Sequence, residues 1–285
     1  MILAASEGGR VHPLTRNIPK PMLDLCGRPL IAHQIDLLRL HGVREIGVNL
    51  HHRPQVIRSY LGDGSRFGVR IVYSREDVLL GSAGAVKKLE EFFDDTFYVL
   101  YGDVLTDIDL SALAAFHWRR GADLTLALYR TDEPERCGIA EVDDGAVRRF
   151  QEKPAPEQVF SRWANAGVYV VEPSVLGLIP EDSFFDFGTD VIPLLLQEKA
   201  VVGGYIHPAY FLDIGSPERY QQAQRDLALG KLRNAVRPAS IQPDPSSQLV
   251  GDREDVASSS AREDQFRRRW HRPARVLRVV RRDGG

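Results

Sequence analysis

Through the first 130 positions, short apolar runs alternate with amphipathic stretches. Residues 2–5, 44–50, 69–73, 97–101 and 124–129 read as strands, several of them apolar enough to be buried on both faces. Helical spacing lies between them. Residues 29–41 put Ile31, Ile35 and Leu38 on one face and stop at Gly42, while residues 54–61 open on Pro54 and stop at Gly62. Residues 83–93 read as a third helix. The pattern then changes. Residues 139–142 and 147–150 flank Asp143-Asp144-Gly145 as a hairpin, residues 167–171 and 201–206 are further strands, and residues 217–229 close the domain as a helix. Alternation followed by antiparallel pairs predicts a three-layer α/β domain with a mixed sheet, whose ligands sit just beyond the carboxyl ends of strands.

Composition alters this picture mainly at the C-terminal end. Apolar residues make up 43% of 285, enough for a sizeable core. Residues 231–285 hold 13 Lys and Arg against 7 Asp and Glu, or +6, which leaves 24 against 32, or −8, in residues 1–230. Residues 238–260 are rich in proline and serine and poor in apolar anchors. We therefore expect a folded domain over residues 1–230 and a low-complexity, Arg-rich, disordered tail over residues 231–285. The run Arg267-Arg268-Arg269-Trp270 could touch nucleic acid or an acidic membrane, but a solvated appendage is the simpler reading. The net charge of −2 argues against a polyanion partner. No run approaches the ~18 apolar residues of a membrane helix, and no basic leader precedes Ile2. Cys26 and Cys137 form no metal or redox motif. A cytoplasmic protein without membrane insertion is expected; a homo-oligomer is left open.

Candidate chemistry begins after the first strand, at Ala5-Ser6-Glu7-Gly8-Gly9-Arg10, followed by Pro13-Leu14-Thr15 and Pro19-Lys20-Pro21. Glycines let backbone N–H groups approach an anion, and Arg10 and Lys20 supply positive charge. The spacing is neither G-x-G-x-x-G nor G-x-x-x-x-G-K-[ST], so dinucleotide and P-loop assignments lose their support. A plain surface loop with two glycines is the alternative at this point.

The stretch resembles the signature of the sugar-phosphate nucleotidyltransferase family, G-x-G-T-R-L-x-P-L-T followed by P-K-P, with Ser6 at the first glycine and Gly9 at the threonine. The likeness extends over nearly all of residues 1–230. Leu80-Gly81-Ser82-Ala83-Gly84-Ala85 is similar to the family's L-G-T-A-G-A segment, which reads the base; Ser82 also suits a helix N-cap. Gly102-Asp103 and Asp213-Ile214-Gly215-Ser216-Pro217 resemble the two acidic motifs. Glu152-Lys153-Pro154 and Asn165-Ala166-Gly167 resemble the elements that hold the sugar phosphate, with Gly138 giving close backbone approach. Asp186-Phe187-Gly188 spells a kinase D-F-G without the other kinase motifs. In the resembled family the same stretch precedes a helix.

The resemblance implies a Rossmann-like nucleotidyltransferase domain, its sheet mixed but mostly parallel, and a reaction. A sugar 1-phosphate and a nucleoside triphosphate give nucleotide-sugar and pyrophosphate, with Mg²⁺ as cofactor. Catalysis would rest on Arg10, Lys20, Asp103 and Asp213, with Mg²⁺ on the two aspartates. Nucleotide would be held by Ala5, Ser6, Gly8, Gly9, Arg10, Lys20, Gly81, Ser82, Gly84 and Asp103. Sugar phosphate would be held by Gly138, Glu152, Lys153, Asn165 and Gly167. The motifs most resemble mannose-1-phosphate guanylyltransferases, implying GTP and mannose 1-phosphate. Thymidylyl or uridylyl transfer to glucose 1-phosphate uses the same frame. The departures at Ser6 and Gly9 also suit a non-catalytic relative that binds nucleotide-sugar.

Overall fold

In the computed structural model, the apolar runs of the first half become the parallel part of one nine-stranded sheet. Residues 1–6 and 9–233 are described, all within the first of two units of the chain, Met1–Pro238. The tail expected over residues 231–285 lies outside the described residues from residue 234 on, as do Gly8 and the Arg10 side chain.

The chain opens with β1 (Ile2–Leu3), then a short ladder of β2 (Asp24–Leu25) and β3 (Arg28–Pro29), and α1 (Leu30–Leu40). Next come β4 (Glu45–Leu50), α2 (Pro54–Leu61), β5 (Arg70–Arg75), α3 (Gly81–Lys87) and β6 (Phe97–Tyr101). β7 (Val104–Thr106) and α4 (Leu110–Arg120) lead to β8 (Leu124–Arg130) and the hairpin of β9 (Gly138–Asp143) and β10 (Ala146–Glu152). β11 (Trp163–Val171), α5 (Ile192–Gln197), β12 (Val202–Ile206), β13 (Phe211–Asp213) and α6 (Pro217–Ala228) complete the order.

The sheet runs β5-β4-β1-β6-β11-β8-β12-β10-β9. β5, β4, β1 and β6 are mutually parallel, β8 and β12 share their direction, and β11 and β10 run against the other seven strands. The sheet is thus mixed and mostly parallel in strand direction. Alternation along β8 separates the layers. Leu124, Leu126 and Leu128 join a core with Ala83, Val86, Ile192 and Leu195 of α3 and α5. Thr125, on the opposite face, meets His117 of α4 at 2.9 Å. Helices therefore cover both faces. Each fully buried leucine or isoleucine contributes about 1.5–3 kcal/mol.

Local signals explain most boundaries. α2 and α6 both begin on a proline, α6 with Ser216 accepting from Arg219 N, and α4 begins with Asp109 accepting from Ala112 N. The helix expected over residues 83–93 instead starts at Gly81 and ends at Lys87; a separate tight turn covers Glu90–Phe92, leaving Phe93 stacked on Phe97 at 4.1 Å. Among the described residues, β2, β3, β7, β13 and α4 are additions to the sequence-based expectation. Beneath β7 and β13 lies a second core of Leu23, Leu25, Leu30, Leu105, Leu212 and Ile214.

Candidate active site

The acidic centre is assembled by close backbone packing. Gly102 follows β6 and donates to Leu3 O at 2.8 Å. A Cβ there would collide with that oxygen and lie 3.0 Å from Pro21 Cγ. Only glycine lets the three segments meet, and their meeting sets Lys20 beside Asp103. Lys20 Nζ lies 2.7 Å from Asp103 Oδ2. Gln34 of α1 donates to Tyr101 O and Val104 O, both at 2.8 Å, bracketing the Gly102-Asp103 turn.

Asp213 comes from far along the chain. β13 pairs antiparallel with β7 in the register Asp213↔Val104, and Ile214 donates to Asp103 O at 2.9 Å. Asp213, on β13, therefore lies beside the turn that carries Asp103, just ahead of β7. Their hard oxygens are the right donors for Mg²⁺, which takes one or two carboxylates and completes its shell with water and phosphate. Among the described residues there is no cluster of three or more acidic, histidine or cysteine side chains that could hold a metal ion. The residues present fit the cofactor.

Of the glycine-rich turn, Ala5 is buried and Ser6 exposed. Ser6 does not take a left-handed φ, so serine carries no strain there. Among the described residues, a Cβ at Gly9 would meet nothing within 4 Å. A buried brace ties this turn to α3. Ala4 N donates to Asn49 Oδ1 at 2.7 Å, Asn49 Nδ2 donates to Glu76 Oε1 at 2.7 Å, and Leu80 N donates to Glu76 Oε2 at 2.9 Å. Asn49 and Glu76 are 3% and 2% exposed.

The second half of the site gathers around Tyr101, which occupies the end of β6 two residues before Asp103. Ser82 does not cap α3, because the helix already begins at Gly81. Its hydroxyl donates to Asp186 Oδ2 at 2.7 Å and accepts from Phe187 N at 2.9 Å and from Tyr101 OH at 3.3 Å. Asn165 sits in a bulge of β11, where pairing with β8 shifts register between Asn165 and Tyr169. It accepts from Gly167 N at 3.0 Å and donates to Tyr169 OH at 2.6 Å. Ala164 pairs with Ile139, so Gly138 lies alongside Asn165. Glu152 reaches Lys153 at 3.5 Å. Burial pushes the Glu152 carboxyl up, against the pull of Lys153 and with help from Asp186.

The structure gives these glycines a reason different from the expected one. A Cβ at Gly81 or Gly84 would strike the backbone of Phe185 or Ser183, at Gly138 it would strike Glu152 and Phe150, and at Gly167 the Tyr101 ring. Their smallness makes room for the chain itself.

Lys20, Asp103 and Asp213 are thus brought together, as are Ser82, Asn165 and Gly167 through Tyr101 and Tyr169. Gln34, Asn49, Glu76, Tyr101, Tyr169 and Asp186 were not singled out from sequence as site residues. Comparison with known proteins agrees with this frame. Residues 1–229 match the family described as Nucleotidyl transferase. The chain belongs to the nucleotidyl transferase family. It is 39% identical over 253 residues to the UTP--glucose-1-phosphate uridylyltransferase of Synechocystis sp., covering 84% of this chain and 65% of that protein. It is 33% identical over 236 residues to the mannose-1-phosphate guanylyltransferase of Mycobacterium tuberculosis, covering 81% and 64%. The chain thus spans a little under two thirds of these curated relatives. Among solved structures it is similar to HddC from Yersinia pseudotuberculosis, with a TM-score of 0.68 and 27% identity, over 79% of this chain and 97% of that one. Among the described residues no helix is long and apolar enough to cross a membrane.

Proposed function

We propose that this nucleotidyl transferase family member joins a sugar 1-phosphate to a nucleoside triphosphate, releasing pyrophosphate. The observation that carries this reading is the 2.7 Å contact of buried Lys20 with Asp103, with Asp213 paired to the neighbouring Val104. A phosphate oxygen of the sugar is already ionised at neutral pH, so in-line attack on the α-phosphorus needs no general base. What the chain must supply is position and charge neutralisation. An ammonium has three donors, and the contact with Asp103 uses one, which leaves Lys20 able to hold the α-phosphate. Arg10 faces the leaving pyrophosphate in this reading, and Lys153 the incoming sugar phosphate. Glu152 and Asn165 offer acceptors and donors to sugar hydroxyls. Mg²⁺, when bound by Asp103 and Asp213, would neutralise phosphate charge.

For the substrates we favour GTP and mannose 1-phosphate, on the Leu80-Gly81-Ser82-Ala83-Gly84 segment and the guanylyltransferase relatives. UTP and glucose 1-phosphate form the second reading, favoured by the 39% identical uridylyltransferase. Pyrophosphate release across a grid of four nucleoside triphosphates and several sugar 1-phosphates separates them by kcat/KM. Tight nucleotide-sugar binding with no turnover for any pair would favour a non-catalytic relative.

A further inference from the structure

One hydrogen-bonded chain crosses the site, and the chemistry of its ends fixes the direction of every proton in it. At one end Gly167 N can only donate, so the Asn165 atom facing it must be oxygen, and the amide nitrogen must face Tyr169. An NH₂ group cannot accept, so the Tyr169 oxygen accepts and its own proton goes to Tyr101 OH at 3.2 Å. Tyr101 then donates to Ser82 Oγ at 3.3 Å. Ser82 already accepts from Phe187 N, and its proton goes to the Asp186 carboxylate. Asp186 Oδ1 meanwhile accepts from Gly188 N at 2.8 Å.

We infer that Asp186 is a positioning residue for Asn165, setting its amide through Ser82, Tyr101 and Tyr169 and thereby fixing what Asn165 presents to the sugar. This rests on the proposed function and extends it. An amide side chain offers two N–H groups and two lone pairs. Gly167 and Tyr169 take one of each, and the orientation of the remaining pair is held from both ends, by the Gly167 N–H and by the Asp186 carboxylate. A carboxylate suits that end because it only accepts. The relay has little freedom to reverse: Tyr169 is fully buried, and its ring is held between Phe187 at 4.9 Å and Tyr101 at 5.7 Å. Burial also pushes the Tyr101 and Tyr169 hydroxyls up, so both keep their protons at working pH. The relay links Asp186, whose D-F-G spelling matched no kinase, to Asn165 through three intervening hydroxyls.

The test is a kinetic cycle on the full chain with Tyr169→Phe, Asp186→Asn and the double variant, each assayed for pyrophosphate release with the preferred pair. Tyr169→Phe keeps both ring contacts and removes the relay's central oxygen. In Asp186→Asn the Gly188 N–H claims the remaining oxygen, so an NH₂ group faces Ser82 and the proton order is lost. Each single variant is expected to raise KM for the sugar 1-phosphate about five- to tenfold, the scale of one net hydrogen bond. KM for the nucleoside triphosphate should stay within about twofold, and the double variant should be no worse than either single one. The Asn165 side-chain amide NMR signal, assigned by its loss in Asn165→Asp, should shift in both single variants. Multiplicative effects in the double variant, or an unmoved Asn165 signal, would overturn the relay while leaving the proposed reaction intact. A wild-type chain that turns over no pair would overturn the reaction and the relay together.

Discussion

Lys20 and Asp103 form a part-buried ion pair, 2.7 Å apart, with the lysine side chain 4% exposed and the aspartate 22%. A buried pair is costly to break on one side, because the survivor keeps its charge without a partner. Here the survivor would also lie beside Asp213. The pair thus connects stability and chemistry, and the two can be separated by mutation.

Lys20→Met should lower kcat by about 10²–10³, the usual loss for one preorganised charge at a transition state, and destabilise the fold by about 3 kcal/mol. Lys20→Met with Asp103→Asn should regain much of that stability without regaining activity. Thermal melts and pyrophosphate release on the same preparations check both halves.

Gly102→Ala should destabilise by about 1–3 kcal/mol or more, since its Cβ has only backbone and a proline ring to displace. Gly9→Ala, where a Cβ would meet nothing within 4 Å among the described residues, should melt within about 0.5 kcal/mol of wild type. Denaturant titration of the two variants gives the comparison.

Glu76→Ala should leave Asn49 Nδ2 and Leu80 N buried without acceptors, at about 1–3 kcal/mol each. Because the brace connects Ala4 to the start of α3, KM for the nucleoside triphosphate should rise more than KM for the sugar 1-phosphate. Equal rises in both would mean that the brace serves the fold alone.

Burial pulls the His207 imidazole down to about 4, partly opposed by Asp107. The unfolded chain therefore binds a proton that the folded chain refuses between about pH 6.5 and pH 4. The stability that neutral His207 permits is fully present above pH 6.5 and lost as pH falls towards 4, up to about 3 kcal/mol. His207→Gln should flatten the fall of melting temperature across that window. An unchanged slope would place the acid sensitivity elsewhere.

What could be read from sequence follows from length and burial. β4 keeps every residue after Glu45 buried, so its apolar run announces a parallel interior strand. β2, β3, β7 and β13 span two or three residues each, too few to show a period, yet the β7–β13 ladder sets Asp213 beside Asp103. α4 carried its signals in Asp109, Leu110, Leu113, Ala114 and Gly121, but its buried face also holds the polar His117, which blurs the apolar stripe. The meeting of Lys20, Asp103 and Asp213 was legible because each sits in a short local motif. Tyr101, Tyr169, Asp186, Asn49 and Glu76 were not, because each acquires its meaning from a partner brought close by the sheet. Ser82 and Asp186 are 104 positions apart. The glycines at 81, 138 and 167 were expected to lie against ligand, and the neighbours that leave no room for a Cβ there are protein atoms.

The most direct measurement is ³¹P NMR of the full chain with Mg²⁺, a nucleoside triphosphate and a sugar 1-phosphate. The proposed reaction predicts that a diphosphate-ester doublet pair and pyrophosphate grow together in equal amounts for wild type, and about 10²–10³ times more slowly for Lys20→Met. Orthophosphate instead of pyrophosphate, or no new signal with any substrate pair, would contradict it.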